Sequence, residues 1–598
     1  MIKKLTKQML LAQVLSVLTT SLCMLVDSIV IGRFLGVGAM AAYGLSSPIL
    51  LIIGGIGTIL SAGVQVSCSK SIGKGLIEEA NVGYSSAVGS SLGLSLLFLV
   101  FVFALQNIIP SWMGAGKSGE LFESTRGYLL GFSIGAPACM TALVLIPFLQ
   151  MAGQMGLLIC AVVAMTVTDI ALDLLNAMVL HWGLFGMGLA SAVSYYVALI
   201  VAIWYFFSKK GIFKFSFRNV KLSKIVELVR SAIPSVFNIG TGVVLVFVIN
   251  KILMRISGSA AVAAYSVMTT IGNASNCIST GVYGVSLTLT GVLYQEEDKT
   301  GLKVMLKTLM PRCLFMGIGV GLFLVTFAPA LVDLFLTDST GASRQMAITG
   351  LRIYALGLVP CCINNAFKGY LQGSERIRAI VNYSTAEGLL VPALIAFGLS
   401  FAYGTTGVWF YFLAGEVVAL LGFSILKWKR AHRVAFNMDT YLDFKKGFGV
   451  GPEDMLEFDI KTIEEVTAVA ETAEKFCIDH GQSVITGAHV AVCVEEMAAN
   501  TILHGFSPKG RNNLSVRIQD HDDRWVIRFR DDCRAFDPLH YVFKDTDSPA
   551  SGIKLMMKIA DEARYTYSMN LNNLMIVVYS GDRKPDHGQS GQSKQSKQ

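Results

Sequence analysis

The sequence predicts an α-helical membrane protein with twelve transmembrane helices in two parallel six-helix repeats, followed by a C-terminal cytoplasmic two-layer α/β sandwich. Three observations predict it. The chain has 598 residues, 53% hydrophobic and only 15% charged, too apolar for a water-soluble protein of this size. Apolar runs of about twenty residues, long enough to cross a bilayer as helices, recur up to Trp428 and then stop. Residues of the first half also return in the second at a constant displacement of 222. Arg33, Gly36 and Ala41-Ala42-Tyr43 come back as Arg255, Gly258 and Ala263-Ala264-Tyr265, and Leu149-Gln150 comes back as Leu371-Gln372.

The spans fall near 9–31, 44–66, 82–105, 127–149, 156–180 and 184–208 in the first half. In the second they fall near 231–256, 262–290, 311–335, 346–367, 378–402 and 405–427. The N-terminus, with Lys3, Lys4 and Lys7, opens like a signal n-region. No small-residue cleavage site follows and Asp27 interrupts the apolar run, so this is read as a retained first span. Loops carrying Lys70 and Lys74, Lys209 to Arg230, Lys299 to Lys307, and Arg376 with Arg378 alternate with poorly basic ones. By the positive-inside rule the basic side is the cytoplasm, and an even span count puts both termini there, in a plasma-membrane protein. The net charge of +8 is therefore a topology signal and implies no nucleic-acid partner. The partners it implies are the lipid bilayer and whatever the spans carry.

Each half holds an even number of spans, so the halves share one orientation, as in transporters that expose a central cavity to each side in turn. Small residues within the spans permit close helix packing. The eighth span is unusually polar, with Thr269, Thr270, Asn273, Ser275, Asn276, Ser279, Thr280 and Tyr283. Such hydroxyls more often hold helices together than line a cavity. No filter-like ring motif points to a channel. Eleven cysteines are scattered without metal spacing, and adjacent Cys361 and Cys362 are too close for an easy bridge, so free buried thiols are expected.

The chemistry of the membrane part concentrates in Thr166-Val-Thr-Asp169-Ile-Ala-Leu-Asp173-Leu-Leu-Asn176, inside the apolar run from Gly156 to Leu180. Four residues apart, Asp169 and Asp173 stack on one helix face. A carboxylate at membrane depth costs at least ~2.5 kcal/mol and usually faces a cavity where it works. Two stacked carboxylates also resist simultaneous ionisation. This outlines a proton or cation site, against the plainer reading that they cap or bind neighbouring helices. Glu387 and Glu416 stay open between function and structural hydrogen bonding.

The stretch Met24-Leu-Val-Asp27-Ser-Ile-Val-Ile-Gly32-Arg33-Phe-Leu-Gly36 with Ala41 to Pro48 resembles the first-span signature of the multidrug and toxic compound extrusion (MATE) transporters. Leu228-Val-Arg-Ser-Ala-Ile-Pro234-Ser, the repeat and the span count resemble them too, over about residues 1–430. The resemblance implies a cation or proton site of Asp27, Asp169, Asp173 and Ser191. Two positions depart from the pattern: Asp169 stands for asparagine and Ser191 for threonine. The added acid lets the cluster hold more protons or bind a cation more strongly. Acids that another branch of the family places in spans seven and ten are missing between Ser231 and Asn250 and between Ala347 and Phe367. The implied activity is antiport, in which H+ or Na+ drives export of small amphipathic organic cations.

A linker over 431–454 leads to a soluble domain at 455–580 and a low-complexity tail at 581–598, with the two transporter halves at 1–215 and 216–430. Lys461–His480 and Ser483–Leu503 read as helices. Asn513–Gln519, Arg524–Arg530, Arg564–Ser568 and Leu574–Tyr579 read as strands. Glu496 and Asn500 share a helix face, a carboxylate suited to proton abstraction beside a neutral amide suited to Mg²⁺. Asp531-Asp-Cys-Arg-Ala-Phe536-Asp-Pro538 follows at a strand end, then Ala550-Ser-Gly552-Ile-Lys-Leu555 opens a helix. That order resembles the ATP-binding fold of the anti-sigma-factor serine kinases, among histidine-kinase-like ATPases. The resemblance implies Mg-ATP, with Glu496 as base, Asn500 as Mg²⁺ ligand, Asp531 as acceptor for the adenine amino group and Gly552 at the phosphates. Cys533, Ala535 and Ala550 stand where that pattern has glycines. The implied whole is an exporter regulated through an ATP-binding domain and a cytoplasmic partner protein. Alternatives are a membrane-anchored sensor kinase and a lipid-linked oligosaccharide flippase. No Walker A sequence is present, so transport powered directly by ATP is not expected.

Overall fold

A computed structural model describes residues 1–113, 115–207, 213–335, 341–432, 434, 437–445, 447–507, 512–521, 523–540 and 551–580. Ala550 and the tail at 581–598 lie outside them. The chain forms two compact units, 2–445 and 446–598.

The first unit is helical throughout. Among the described residues, ten helices are long and apolar enough to cross a membrane. Two pairs, Glu120–Ile134 with Ala136–Met151 and Gly341–Leu356 with Leu358–Gly373, are each bent by 48° and, taken as one span each, bring the count to twelve. The bends fall at Gly135 and Gly357, again 222 apart. A side chain at Gly135 would meet the Ala192 backbone at 2.6 Å and one at Gly357 the Phe412 ring at 2.6 Å, so close helix approach fixes both sites. The repeated Gly36 and Gly258 have a matching reason. Each adopts positive φ, +88° and +66°, where span one passes to span two and span seven to span eight, a conformation that only glycine adopts without strain. The expected seventh and eighth spans are therefore two arms of Ile233–Ser275 folded at Gly258, with Cys277–Gln295 completing the eighth.

The halves meet along spans one, two and eight. Side chains added at Gly281 and Gly284 would strike Val14 and Gln13, and one at Gly73 would strike the Val292 carbonyl. All of these lie at the end of the spans that carries the basic loops. The repeat also places matching hydrogen bonds inside each half: Gln150 binds Gln13, while Gln372 reaches Ser235 at 3.4 Å, both residues displaced by 222. The stretch expected as a linker carries a short helix, Met438–Leu442, which belongs to the first unit and packs on its spans. All eleven cysteines are free.

The second unit is a five-stranded antiparallel sheet under helices. The strands are β1 (Met455–Ile460), β2 (Leu514–Asp520), β3 (Arg524–Asp531), β4 (Glu562–Ser568) and β5 (Leu571–Tyr579), in the order β1-β2-β3-β5-β4. β1 was not expected from the sequence. Alternate residues Trp525, Ile527 and Phe529 of β3 are buried in the domain core with Val490 and Val494 of the Val484–Asn500 helix. Thr462 and Glu465 form a capping box that starts the Ile463–Asp479 helix, satisfying backbone donors that would otherwise lack partners.

Candidate functional site

Asp27 approaches Asp169 and Asp173 because span one packs beside span five. Carboxylate oxygens of the three lie within 4.8 Å of one another, and all three side chains are buried. Span five continues past Asp173 as a π-turn, Asn176–Leu180, and span one past Asp27 as another, Ile31–Leu35. Asn176 closes the first by donating to Gly183 O at 2.9 Å and accepting from Trp182 N at 3.1 Å.

The polar company of the acids is sparse. Among the described residues, one oxygen of Asp27 and both of Asp173 have no hydrogen-bond partner. Three mutually close, fully ionised carboxylates in such a setting repel one another. A proton between neighbouring oxygens or a hard cation among them would relieve that repulsion, and an all-oxygen donor set suits either. Asp169 is served by Ser194, whose hydroxyl lies 3.0 Å from Oδ1 and 2.8 Å from the Ser191 carbonyl. The hydroxyl of Ser191 itself donates to the Met187 carbonyl at 3.4 Å. Ser194 was not singled out in the sequence; its spacing from Ser191 on one helix is the only signal that could have found it. Nearby, Tyr43 meets Tyr128 edge-on at 5.3 Å, and Phe132 meets Tyr195 at 6.2 Å.

The second half places its charges differently. Lys368 of span ten pairs with Glu387 of span eleven at 2.8 Å, both buried. Glu416 of span twelve accepts from Asn364 at 2.6 Å, and Tyr383 donates to the same Asn364 at 2.6 Å. Glu387 thus has a counter-ion and Glu416 an amide partner.

In the C-terminal unit Glu496, Asn500, Asp531 and Gly552 line one cavity of about 650 Å³. Sheet register explains the placement of Asp531. It ends β3 on the same face as Trp525, opposite Asn572 of β5, and accepts from Asn572 Nδ2 at 2.7 Å and Cys533 N at 3.0 Å. Burial pushes its pKa above the ordinary aspartate value. Burial and the neighbouring Asp531 likewise push the Cys533 thiol up, so this cysteine is a weak nucleophile. A side chain at Gly552 would meet Glu496 Oε2, so a larger residue there would displace that carboxylate. Asn500 is followed by a π-turn, Thr501–Gly505, which brings His504 to the cavity wall. Asn572 and Tyr565 are cavity residues that the sequence did not reveal.

The size of this cavity suits a nucleotide. Glu496 and Asn500 stand one helical turn apart on its wall, as an acid and a neutral ligand for Mg-ATP would have to. Cys533 projects over Gly505 and narrows one side, its Sγ 3.2 Å from where a Cβ of residue 505 would stand.

The family comparison covers residues of the first unit. The family model described as MatE matches twice, over residues 13–175 and 234–397, which is the 222-residue repeat found again. The chain is 24% identical over 402 residues to the multidrug export protein MepA of Staphylococcus saprophyticus, covering 66% of this chain and 86% of that one. It is 23% identical over 400 residues to the MepA protein of Staphylococcus aureus (strain MRSA252), covering 65% and 85%. Among solved structures, a MATE in complex with MaL6 superposes with a TM-score of 0.66 at 21% identity over 72% of this chain and 96% of that one. A MOP-superfamily transporter from Pyrococcus furiosus, described as having a binding pocket of reverse polarity, gives 0.66 at 20% identity over 74% and 97%.

Proposed function

The chain belongs to the MatE family, and from that premise we propose that it is a secondary-active exporter of amphipathic organic cations, coupled to inward flow of H+ or Na+. The observation that carries the coupling is the buried triad of Asp27, Asp169 and Asp173 with its unsatisfied oxygens. A proton or sodium ion arriving from outside binds there, neutralises part of the charge and changes how spans one and five pack around their π-turns. The extra acid at Asp169 favours the proton. Aromatic faces of Tyr43 and Tyr195 offer an organic cation its alternative counter-surface. The names of the relatives support export of drugs, and the distribution of Lys and Arg supports a plasma-membrane protein with both termini in the cytoplasm.

The test is dye efflux from proteoliposomes holding the full-length protein, with a proton or a sodium gradient imposed separately. Gradient-driven efflux of ethidium is expected, and Asp27→Asn and Asp173→Asn are each expected to reduce it at least about tenfold, a loss of 1.4 kcal/mol or more. Undiminished efflux in both variants would rule out this site.

The C-terminal unit is assigned to binding Mg-ATP and to regulating transport, with serine-kinase turnover as its further capacity. Asp531, held by Asn572, would present an acceptor to the adenine amino group, Asn500 would hold the magnesium ion, and Gly552 would lie by the phosphates at the start of its helix. Bound Mg-ATP would supply a transferable phosphoryl group; Glu496 would take the proton from the attacking hydroxyl. Calorimetric titration of the full chain in nanodiscs is expected to show saturable Mg-ATP binding that Asp531→Ala and Asn500→Ala weaken. Absence of binding to the parent protein would make the domain a partner-binding module.

A further inference from the structure

We propose that the segment Asn437–Asp443 is a strap that sets the closure of the two transporter halves, and that the C-terminal domain acts on transport through it. The inference rests on the alternating-access reading, and the strap is the stretch of the first unit from which the chain runs on to the domain.

The strap is built to dock. Asn437 Oδ1 accepts from both the backbone N–H and the hydroxyl of Thr440, at 2.9 and 2.7 Å, which fixes the start of its helix. Tyr441 then stacks on Phe367 of span ten at 5.2 Å and donates to Ser424 of span twelve at 3.3 Å. Tyr370 donates to the Leu442 carbonyl at 2.6 Å. Asp439 pairs with Lys303 at the start of span nine at 2.5 Å. Asp443, in a left-handed conformation, receives Lys427 and Arg430 at 3.0 Å each. Three spans of the second half are thus held by seven residues of one segment.

The strap also reaches the loop between spans ten and eleven. Arg376 donates to the Asp443 carbonyl at 2.6 Å, with its guanidinium over the Tyr370 ring at 5.5 Å. The preceding residue, Glu375, adopts φ +57° and turns away to pair with Lys70 at the end of span two, at 2.7 Å. One peptide bond therefore separates the strap's contact from an ion pair that joins the two halves. Just before Lys70, Ser69 occupies the space beside Gly291 of span eight, where a Cβ would strike its hydroxyl, so the halves are closely apposed here. An exposed pair such as Lys70–Glu375 contributes little by attraction alone. Its value is positional: with Arg376 anchored on the docked strap, Glu375 is held where Lys70 must meet it. Undocking the strap releases Arg376, frees Glu375 and lowers the preference for the closed arrangement at this end.

The test reads closure without relying on transport. Ser69→Cys is introduced together with Cys68→Ala into the full chain in nanodiscs, and its alkylation by a membrane-impermeant maleimide is followed by peptide mass spectrometry, which separates it from the remaining native thiols. Tyr441→Ala and Asp443→Ala are expected to speed alkylation at least about fivefold, the low end of typical coupling between sites. Tyr441→Phe, which keeps the stacking, is expected to stay near the parent rate. The charge reversal Lys70→Glu should speed alkylation by itself, and Lys70→Glu with Glu375→Lys should restore the parent rate. Parent-like alkylation in both strap variants would overturn the proposal, as would a double reversal that restores nothing. Should Tyr441→Ala not fold, Asp443→Asn tests the same anchor. Altered alkylation with no gradient-driven efflux in the parent would count against the exporter reading and leave the strap in place.

Discussion

At the scale of single residues, Lys368 shows what burial demands. It stands in span ten with its ammonium against Glu387 and no access to water. Removing one partner of such a pair leaves an uncompensated charge and costs about 3–5 kcal/mol, whereas replacing both by apolar groups of like size is often neutral. Lys368→Met is therefore expected to lower the thermal unfolding temperature of the detergent-solubilised protein markedly, and Lys368→Met with Glu387→Leu to recover most of the loss. Sequence reading found the acids here but not their partners. Asp169 and Asp173 were legible because a carboxylate inside an apolar run has few explanations, and Asp27 through its motif. Ser194 and Asn572 were not, for a physical reason. Serines in membrane helices mostly bond their own backbone, and Asn572 matters only because sheet register sets it opposite Asp531.

At the scale of elements, apolar length sufficed to find ten of the spans as continuous helices, the other two being bent pairs, since the bilayer sets a minimum that few soluble helices meet. It could not find their ends. Span nine, expected over 311–335, begins at Lys299, because the helix continues beyond the hydrocarbon with polar residues that cost nothing there. π-Turns were equally invisible. Ile31–Leu35, Asn176–Leu180, Ala386–Leu390 and Thr501–Gly505 each insert one extra residue into a helix without altering its composition. Each follows or contains a polar residue of the sites described: Asp27, Asp173, Glu387 and Asn500. β1 escaped because its alternation of Leu456, Phe458 and Ile460 spans only six residues, short of a convincing period. In the strap, Tyr441 and Asp443 read as ordinary polar linker residues until the surface they meet is known.

At the scale of the whole molecule, the two units have separate hydrophobic cores, one of them running from Ile460 to Val578. Trp525 is wholly buried in that core and meets Phe476 edge-on at 5.7 Å. Trp525→Ala is expected to destabilise the C-terminal unit by about 3–5 kcal/mol while leaving the membrane helices protected, a split that hydrogen exchange with mass spectrometry resolves. If the domain binds Mg-ATP as proposed, the nucleotide should offset part of the loss. The repeat has a consequence of another kind. Displaced by 222, the positions of Asp27, Asp169 and Asp173 are held by Ile249, Val391 and Ile395. One copy of a duplicated bundle has thus kept a site that its twin fills with branched hydrocarbon. The molecule carries its own blank: a half with the same bends and the same glycines, in which the contribution of those three carboxylates can be read by subtraction.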